Sequence, residues 1–151
     1  MERLKKIGPV LITFLIFLTV LIAGTPTSTL IKRDVTAIAS GGSQTITCAN
    51  VTLEGDSIGF YVDFSVDSVS GYFTYDWVTP NGYTSSTSQT LTLSDGTTSF
   101  ALVGSKKAVF SRNIVRMAGV PQIHLYLYMV NNKAEAASET ITTNIGKVTW
   151  R

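Results

Sequence analysis

Apolar and polar residues alternate along most of the chain after residue 24, and this period of two predicts half-buried β-strands. The clearest example runs from Ile58 to Val66, where every even-numbered residue is apolar. A second runs from Gln122 to Val130, where apolar odd-numbered residues alternate with His124, Tyr126 and Tyr128. Each of these strands is therefore expected to turn one face toward a hydrophobic core.

Weaker alternation predicts six further strands, at residues 30–38, 44–53, 72–78, 85–93, 98–103 and 139–145. Residues 108–117 fit either a strand or a short helical turn. Pro80-Asn81-Gly82 is the strongest turn between strands, because Pro presets one φ angle and Asn-Gly supply positive φ values. The sequence thus predicts an all-β fold: an antiparallel two-sheet Ig-like sandwich of about seven to nine strands, preceded by one N-terminal hydrophobic helix.

The first 24 residues follow a different pattern. Three basic residues among the first six precede an uncharged apolar run at residues 9–24, which is the order of parts in an export signal. Ala23-Gly24 fits a cleavage site, whereas a retained run would anchor the chain in a membrane with its N-terminus cytoplasmic. Both readings make 25–29 a short polar stalk and place a domain of residues 30–151 outside the cell or at its surface.

A third interpretation starts from the same segment. A basic start followed by an apolar helix resembles archaeal-type pilins, in which a basic residue directly precedes the Gly or Ala of the processing site. Here Ile7 separates Lys6 from Gly8, and Thr25-Pro26 ends the apolar helix early. A pilin-like filament subunit that keeps its N-terminal helix stays open as an alternative.

Charge and cysteine content narrow the class of protein. Residues 1–24 hold three of the twelve basic and one of the ten acidic residues, so the remaining chain carries nine of each and no net charge. A neutral domain has no general electrostatic attraction to nucleic acid, and we expect no nucleic-acid partner. Cys48 is the only cysteine, so an intrachain disulfide is excluded and a buried apolar position is expected.

Two stretches carry a resemblance to a known class of domain. The run from Tyr75 through Trp77 to Pro80-Asn81-Gly82 resembles a core strand and turn of secreted prokaryotic immunoglobulin-like domains. The run from Gly119 to Asn131 is similar to their late, tyrosine-bearing strand, and the pair is also similar to GOLD-like exported sandwiches. The resemblance implies a sandwich fold and no ligand, and Cys48 alone cannot form the inter-sheet disulfide of antibody domains.

The chain has few residues suited to catalysis or metal binding. His124 is the only histidine, so a Ser-His-Asp or Cys-His site would have to use it, and its mid-strand position favours an ordinary strand residue. Asp63, Asp67 and Asp76 offer oxygen ligands for calcium if their strands are neighbours, but they form no Asp-rich calcium loop. We therefore expect no enzyme activity, no metal and no cofactor.

Two features suggest modification or binding. Asn50-Val51-Thr52 fits the sequon for N-glycosylation. His124, Tyr126 and Tyr128 form either an exposed binding face or one side of a central strand covered twice.

The sequence accordingly favours an exported cell-surface protein with a structural, adhesion or partner-binding role. Self-assembly is one version, in which the first predicted strand at residues 30–38 adds to a neighbour's sheet. The membrane is a partner if residues 9–24 are retained. The alternatives are the pilin-like subunit and a small extracellular hydrolase or carbohydrate-binding module.

Overall fold

The computed structural model describes residues 26–53, 57–82, 84–85, 88–110, 122–134 and 138–150. Nine strands run through this part of the chain: β1 Thr27–Ile38, β2 Ser43–Thr52, β3 Ser57–Phe64, β4 Val69–Val78, β5 Gln89–Thr90, β6 Phe100–Ala101, β7 Lys107–Val109, β8 Gln122–Asn131 and β9 Glu139–Trp150. Within the described ranges, no helix is long and apolar enough to cross a membrane. The predicted N-terminal helix and most of the ambiguous stretch at 108–117 lie outside them.

The strands form two antiparallel sheets, which confirms the predicted all-β sandwich. One sheet has the order β1-β9-β3-β7. The other has the order β2-β8-β4-β5, with β6 also paired to β4. The strand order differs from that of the immunoglobulin-like domains that the sequence resembles, because the first two strands of that fold share a sheet, whereas β1 and β2 lie in different sheets. The first four strands alternate between the sheets and the first strand pairs with the last, as in the winding of a jelly roll.

Several strands begin or end at different residues from those predicted. Residues 27–29, predicted as stalk, lie in β1 and pair with residues 147–149 of β9. Among the described residues of the predicted strands at 85–93 and 98–103, only the two residues of β5 and the two of β6 form regular strand. These segments still give the core Leu91, Leu93 and Phe100, and short strands of this kind limit pairing at a sheet edge.

The core lies between the two sheets and consists of the inward-facing residues of each strand. From β8 it takes Ile123, Leu125, Leu127 and Met129, each 0% exposed. Phe73 of β4 meets Phe110 edge to face, with ring centroids 4.7 Å apart. Cys48 is buried among these residues, as predicted, and burial is the main reason that its pKa rises to about 11. The core is therefore built without a disulfide.

Polar and turn residues fix the ends of the strands. Asn131, 1% exposed, donates from Nδ2 to the Ile38 carbonyl at 3.0 Å, so it joins the end of β8 to the end of β1 in the other sheet.

The predicted turn at residues 80–82 is confirmed: the Gly82 N–H donates to the Thr79 carbonyl at 2.8 Å, and Gly82 has a φ of 77°.

Replacing Gly71 in β4 is expected to destabilise the fold. A Cβ at this position would overlap the backbone oxygen of Tyr128 and lie 3.1 Å from Cζ of Phe100. Because a central strand cannot move away without losing its ladder, Gly71→Ala should lower the free energy of unfolding by about 1–3 kcal/mol. Chemical denaturation measures the change, with Ser70→Ala on the opposite face as the control. Equal stability of the two variants would contradict the described packing.

Candidate functional site

The outer face of the second sheet brings the sequence-predicted tyrosines together. His124, Tyr126 and Tyr128 alternate with the core residues of β8, so they point away from the first sheet. All three are half-buried, because β2 and β4 flank β8 on both sides. Of the two predicted arrangements, β8 is thus central in its sheet, but the other sheet covers only its inner face.

Strand β4 adds a second row of side chains to this face. Its register places Tyr72 opposite Tyr128, Thr74 opposite Tyr126, and Asp76 opposite His124. The Tyr72 and Tyr128 rings are stacked, with centroids 5.1 Å apart and planes inclined by 29°. Tyr72 is 40% exposed, which makes it one of the exposed large hydrophobic residues of the described chain. The two tyrosines therefore form one stacked aromatic pair on the outer face of the sheet.

These rows border a groove of about 410 Å³ on the outer face. The described side chains that line it are aromatic, hydroxyl-bearing or acidic: Thr45, Tyr72, Thr74, Asp76, Ser88, Tyr126 and Tyr128. None of these seven is basic. The groove, called the tyrosine groove below, combines apolar ring surface with hydrogen-bonding groups, which is the make-up of a small-ligand site.

Asp76 is the charged group of the tyrosine groove. Ser88 donates a hydrogen bond from Oγ to Oδ1 of Asp76 at 2.5 Å. Burial raises the pKa of Tyr126, and a hydrogen bond to Asp76 and the Asp76 charge raise it further. The phenol of Tyr126 therefore stays protonated over the physiological range and is available as a donor.

His124 is fixed by an unusual backbone position in β2. The register of β2 against β8 shifts between Cys48 and Val51, and Asn50 has a φ of 54° there. This irregularity turns the Asn50 N–H toward Nδ1 of His124, at 3.2 Å. Because Nδ1 accepts, the hydrogen-bond network assigns the proton of the neutral ring to Nε2.

The hydrogen bonds of this corner differ from those of a catalytic triad. In a triad the serine donates to the imidazole, and the imidazole donates to the carboxylate. Here Ser88 donates directly to Asp76, and Nδ1 of His124 accepts from Asn50. The structure brings the three residue types to one face without the nucleophile–base contact. Asn50 itself is exposed, so the sequon lies at the surface.

The three aspartates considered for calcium do not meet. Asp63 points outward from β3 in the first sheet, whereas Asp76 points outward from β4 in the second. Asp67 lies in the connection between these strands, near Ser68 Oγ at 3.5 Å. The consecutive strands β3 and β4 belong to opposite sheets, which separates the outward carboxylates of Asp63 and Asp76. Among the described residues, no group of three His, Cys, Asp or Glu side chains is arranged to hold a metal ion.

Sequence reasoning did not assign five members of the groove to this face, namely Tyr72, Thr74, Asp76, Ser88 and Thr45. The first three alternate with the aromatic core side of β4, so the pattern signals that they share a face. It does not signal that β8 is the neighbouring strand. Ser88 precedes β5 in the polar stretch 85–93, where the weak alternation does not indicate which strand lies alongside.

Solved structures similar to this chain include viral and carbohydrate-binding proteins. The structure of infectious bursal disease virus, Gt strain, has 15% identity and a TM-score of 0.47, over 85% of this chain and 33% of that chain. The SPBc2 prophage-derived protein YomS has 17% identity and a TM-score of 0.34, over 83% of this chain and 94% of its own. A structure of carbohydrate-binding modules from the β-sandwich superfamily has 8% identity and a TM-score of 0.36, over 85% and 57%.

The chain spans about a third of the length of the viral chains it matches. All three TM-scores given above are below 0.5, so the fold is assigned from the strand order of this chain itself. No protein-family model matches the chain, and no curated protein matches it in sequence.

The contact between Asp76 and Tyr126 can be measured directly. Asp76→Asn removes the carboxylate charge and should lower the pKa of Tyr126, which should stay above its ordinary value because burial remains. An NMR pH titration of ring-labelled tyrosine follows this single group. Asp95→Asn, in the exposed turn between β5 and β6 and outside the residues that line the groove, is the matched control. A Tyr126 titration that is the same in wild type and Asp76→Asn would remove this contact from the site.

Proposed function

We propose that this chain is an exported, non-enzymatic binding protein of the cell surface, and that the tyrosine groove is its binding site. The observation that carries the proposal is the stacked pair Tyr72 and Tyr128, which lines one groove together with Asp76 on an accessible sheet face. The N-terminal sequence pattern, basic residues followed by an apolar run at 9–24, supports the location.

The composition of the groove supports binding over a purely structural role. Tyrosines combine a large apolar ring with a polar hydroxyl and lose little conformational entropy on binding, which makes them common anchors at interfaces. The groove volume of about 410 Å³ lies in the range of small-ligand sites, roughly 300–1,000 Å³. The opposite face of the same strands is filled by the core, so a ligand can occupy the groove without disturbing the fold.

Self-assembly by donation of the first strand has less support. β1 pairs with β9 of its own chain from Thr27 to Ile38, so donation would require exchange of a strand that is already bonded. The hydrolase alternative has less support as well, because the hydrogen bonds of Ser88, Asp76 and His124 differ from the triad order.

Export predicts that protease added to intact cells digests the domain, or that the domain is found in the medium. The reason is that the basic N-terminus keeps the start of the chain cytoplasmic and sends the rest outward. Immunodetection after fractionation and protease treatment measures this, with a cytoplasmic protein as the control for lysis. A domain that stays protected inside intact cells would overturn the proposed location.

Binding predicts that groove variants lose affinity for an extracellular partner. The full chain is applied to an immobilised panel of envelope proteins, matrix proteins and glycans. The pair Tyr72→Ala and Tyr126→Ala should reduce binding about tenfold or more, because aromatic anchors dominate interface energies. The pair Val35→Ala and Val109→Ala is the matched control.

Val35 and Val109 are 57% and 45% exposed on strands of the first sheet. Truncation there removes exposed apolar surface and leaves the groove intact, so binding should be unchanged. Loss of binding in this control pair, with the groove pair unaffected, would assign binding to the other sheet and contradict the proposal.

A further inference from the structure

The shape of the aromatic surface restricts what fits the tyrosine groove. Tyr72 and Tyr128 are stacked on each other, so each ring keeps one free face, and the two rings do not surround a central point. A cage for an organic cation needs rings that surround the charge. A free ring face instead matches a ligand with a flat apolar face of its own.

The polar groups of the groove restrict the ligand further. Thr45, Thr74 and Ser88 each carry a hydroxyl that donates and accepts, and Asp76 accepts only. An ionised carboxylate has about four acceptor positions, of which Ser88 and Tyr126 use some. The ligand must therefore supply hydrogen-bond donors to Asp76 and both donors and acceptors to the hydroxyls around it.

The negative charge of the groove disfavours anionic ligands. Asp76 is the acidic residue among the described lining residues, and no basic side chain is among them. An anionic ligand would approach this carboxylate without a compensating cation, which costs binding free energy. The exported part of the chain has no net charge, so no long-range field offsets the local repulsion.

We propose that the tyrosine groove binds a neutral carbohydrate. A sugar ring has a flat face of C–H groups to lie on the free face of the Tyr72 ring, and the hydroxyls of a short oligosaccharide, each a donor and an acceptor, reach Thr74 and Asp76 farther along β4. The groove of about 410 Å³ suits a small-molecule ligand or a short glycan segment, whereas a protein interface covers about 800 Å² on each partner. This inference rests on the proposed binding function and names the ligand class of the same site.

A basic peptide is the strongest rival occupant. Its Lys or Arg would pair with Asp76 and lie over a tyrosine ring. Against it stand the single carboxylate, which already accepts from Ser88, and the ring stacking of Tyr72 on Tyr128, which uses one face of each ring. The ring hydroxyls of a sugar also match the threonine and serine hydroxyls, which a basic side chain without acceptors cannot do.

Titration of the full chain with three sets of probes tests the inference. The probes are neutral oligosaccharides of glucose, mannose and N-acetylglucosamine, acidic oligosaccharides of uronic acids, and short Lys/Arg peptides. We expect binding of at least one neutral oligosaccharide and weaker or absent binding of the other two sets. Calorimetry or NMR titration gives the affinities.

Variants of Tyr72 and Asp76 distinguish the contribution of ring stacking to oligosaccharide affinity from that of hydrogen bonding. Tyr72→Ala should weaken binding of the neutral oligosaccharide about tenfold or more, whereas Tyr72→Phe should retain it, because stacking needs the ring and not the hydroxyl. Asp76→Asn should weaken it while leaving Tyr72 stacking intact. Val109→Ala on the first sheet should leave it unchanged. Circular dichroism confirms that each variant is folded.

The outcomes distinguish the ligand class from the binding function. A basic peptide or acidic oligosaccharide that binds more tightly than every neutral one overturns the carbohydrate inference. So does a panel in which no saccharide binds but a protein partner is lost in Tyr72→Ala, and in that case the binding function stands. If Tyr72→Ala changes the binding of no partner and no saccharide, both proposals fail.

Discussion

The register of β8 between β2 and β4 is the constraint on which both the core and the tyrosine groove depend. Inward residues of β8, from Ile123 to Met129, are fully buried, and each such side chain contributes about 1.5–3 kcal/mol by leaving water. The intervening residues Tyr126 and Tyr128 line the groove. A slip by one residue would exchange the two faces, which would bury tyrosine hydroxyls and expose the core. The same burial that stabilises the fold therefore positions the site.

Two polar contacts secure this register at the ends of β8. Asn131 bonds to the Ile38 carbonyl at one end, across to the other sheet. At the other end, the register of β2 is irregular at Asn50, and the backbone N–H of Asn50 donates a hydrogen bond to Nδ1 of His124. A buried amide without its partner would cost about 1–3 kcal/mol, so the contact at Asn131 penalises any shifted pairing. His124 and Asn50 thus have a structural role beside the groove.

The sequence predicts well which face of each strand is buried, and it predicts poorly which strands pair. The alternation at 58–66 and 122–130 locates β3 and β8 to within about two residues, because burial of every second side chain leaves a direct trace. Alternation carries no information on which strand pairs with which. The resemblance of the Tyr75–Gly82 region to an immunoglobulin-like strand and turn is local, and it does not determine that β1 pairs with β9.

The site was predictable for one strand and not for its surroundings. His124, Tyr126 and Tyr128 are visible as the outward row of β8. Asp76 joins them through pairing between segments about 50 residues apart, a contact with no local signal. The same non-local winding separates Asp63 from Asp76, although their strands are consecutive. The sequence therefore indicates which chemical groups each strand carries, and the strand order determines which of these groups lie together.

Solvent exposure along β8 tests the central claim most directly. A soluble gadolinium chelate broadens NMR signals of groups that it can approach, so it reports which face is accessible. The account predicts strong broadening of the ring protons of Tyr72, Tyr126 and Tyr128, and little broadening of the methyl groups of Leu127 and Met129. Equal broadening of both sets, or protected tyrosine rings, would contradict an accessible groove backed by the core.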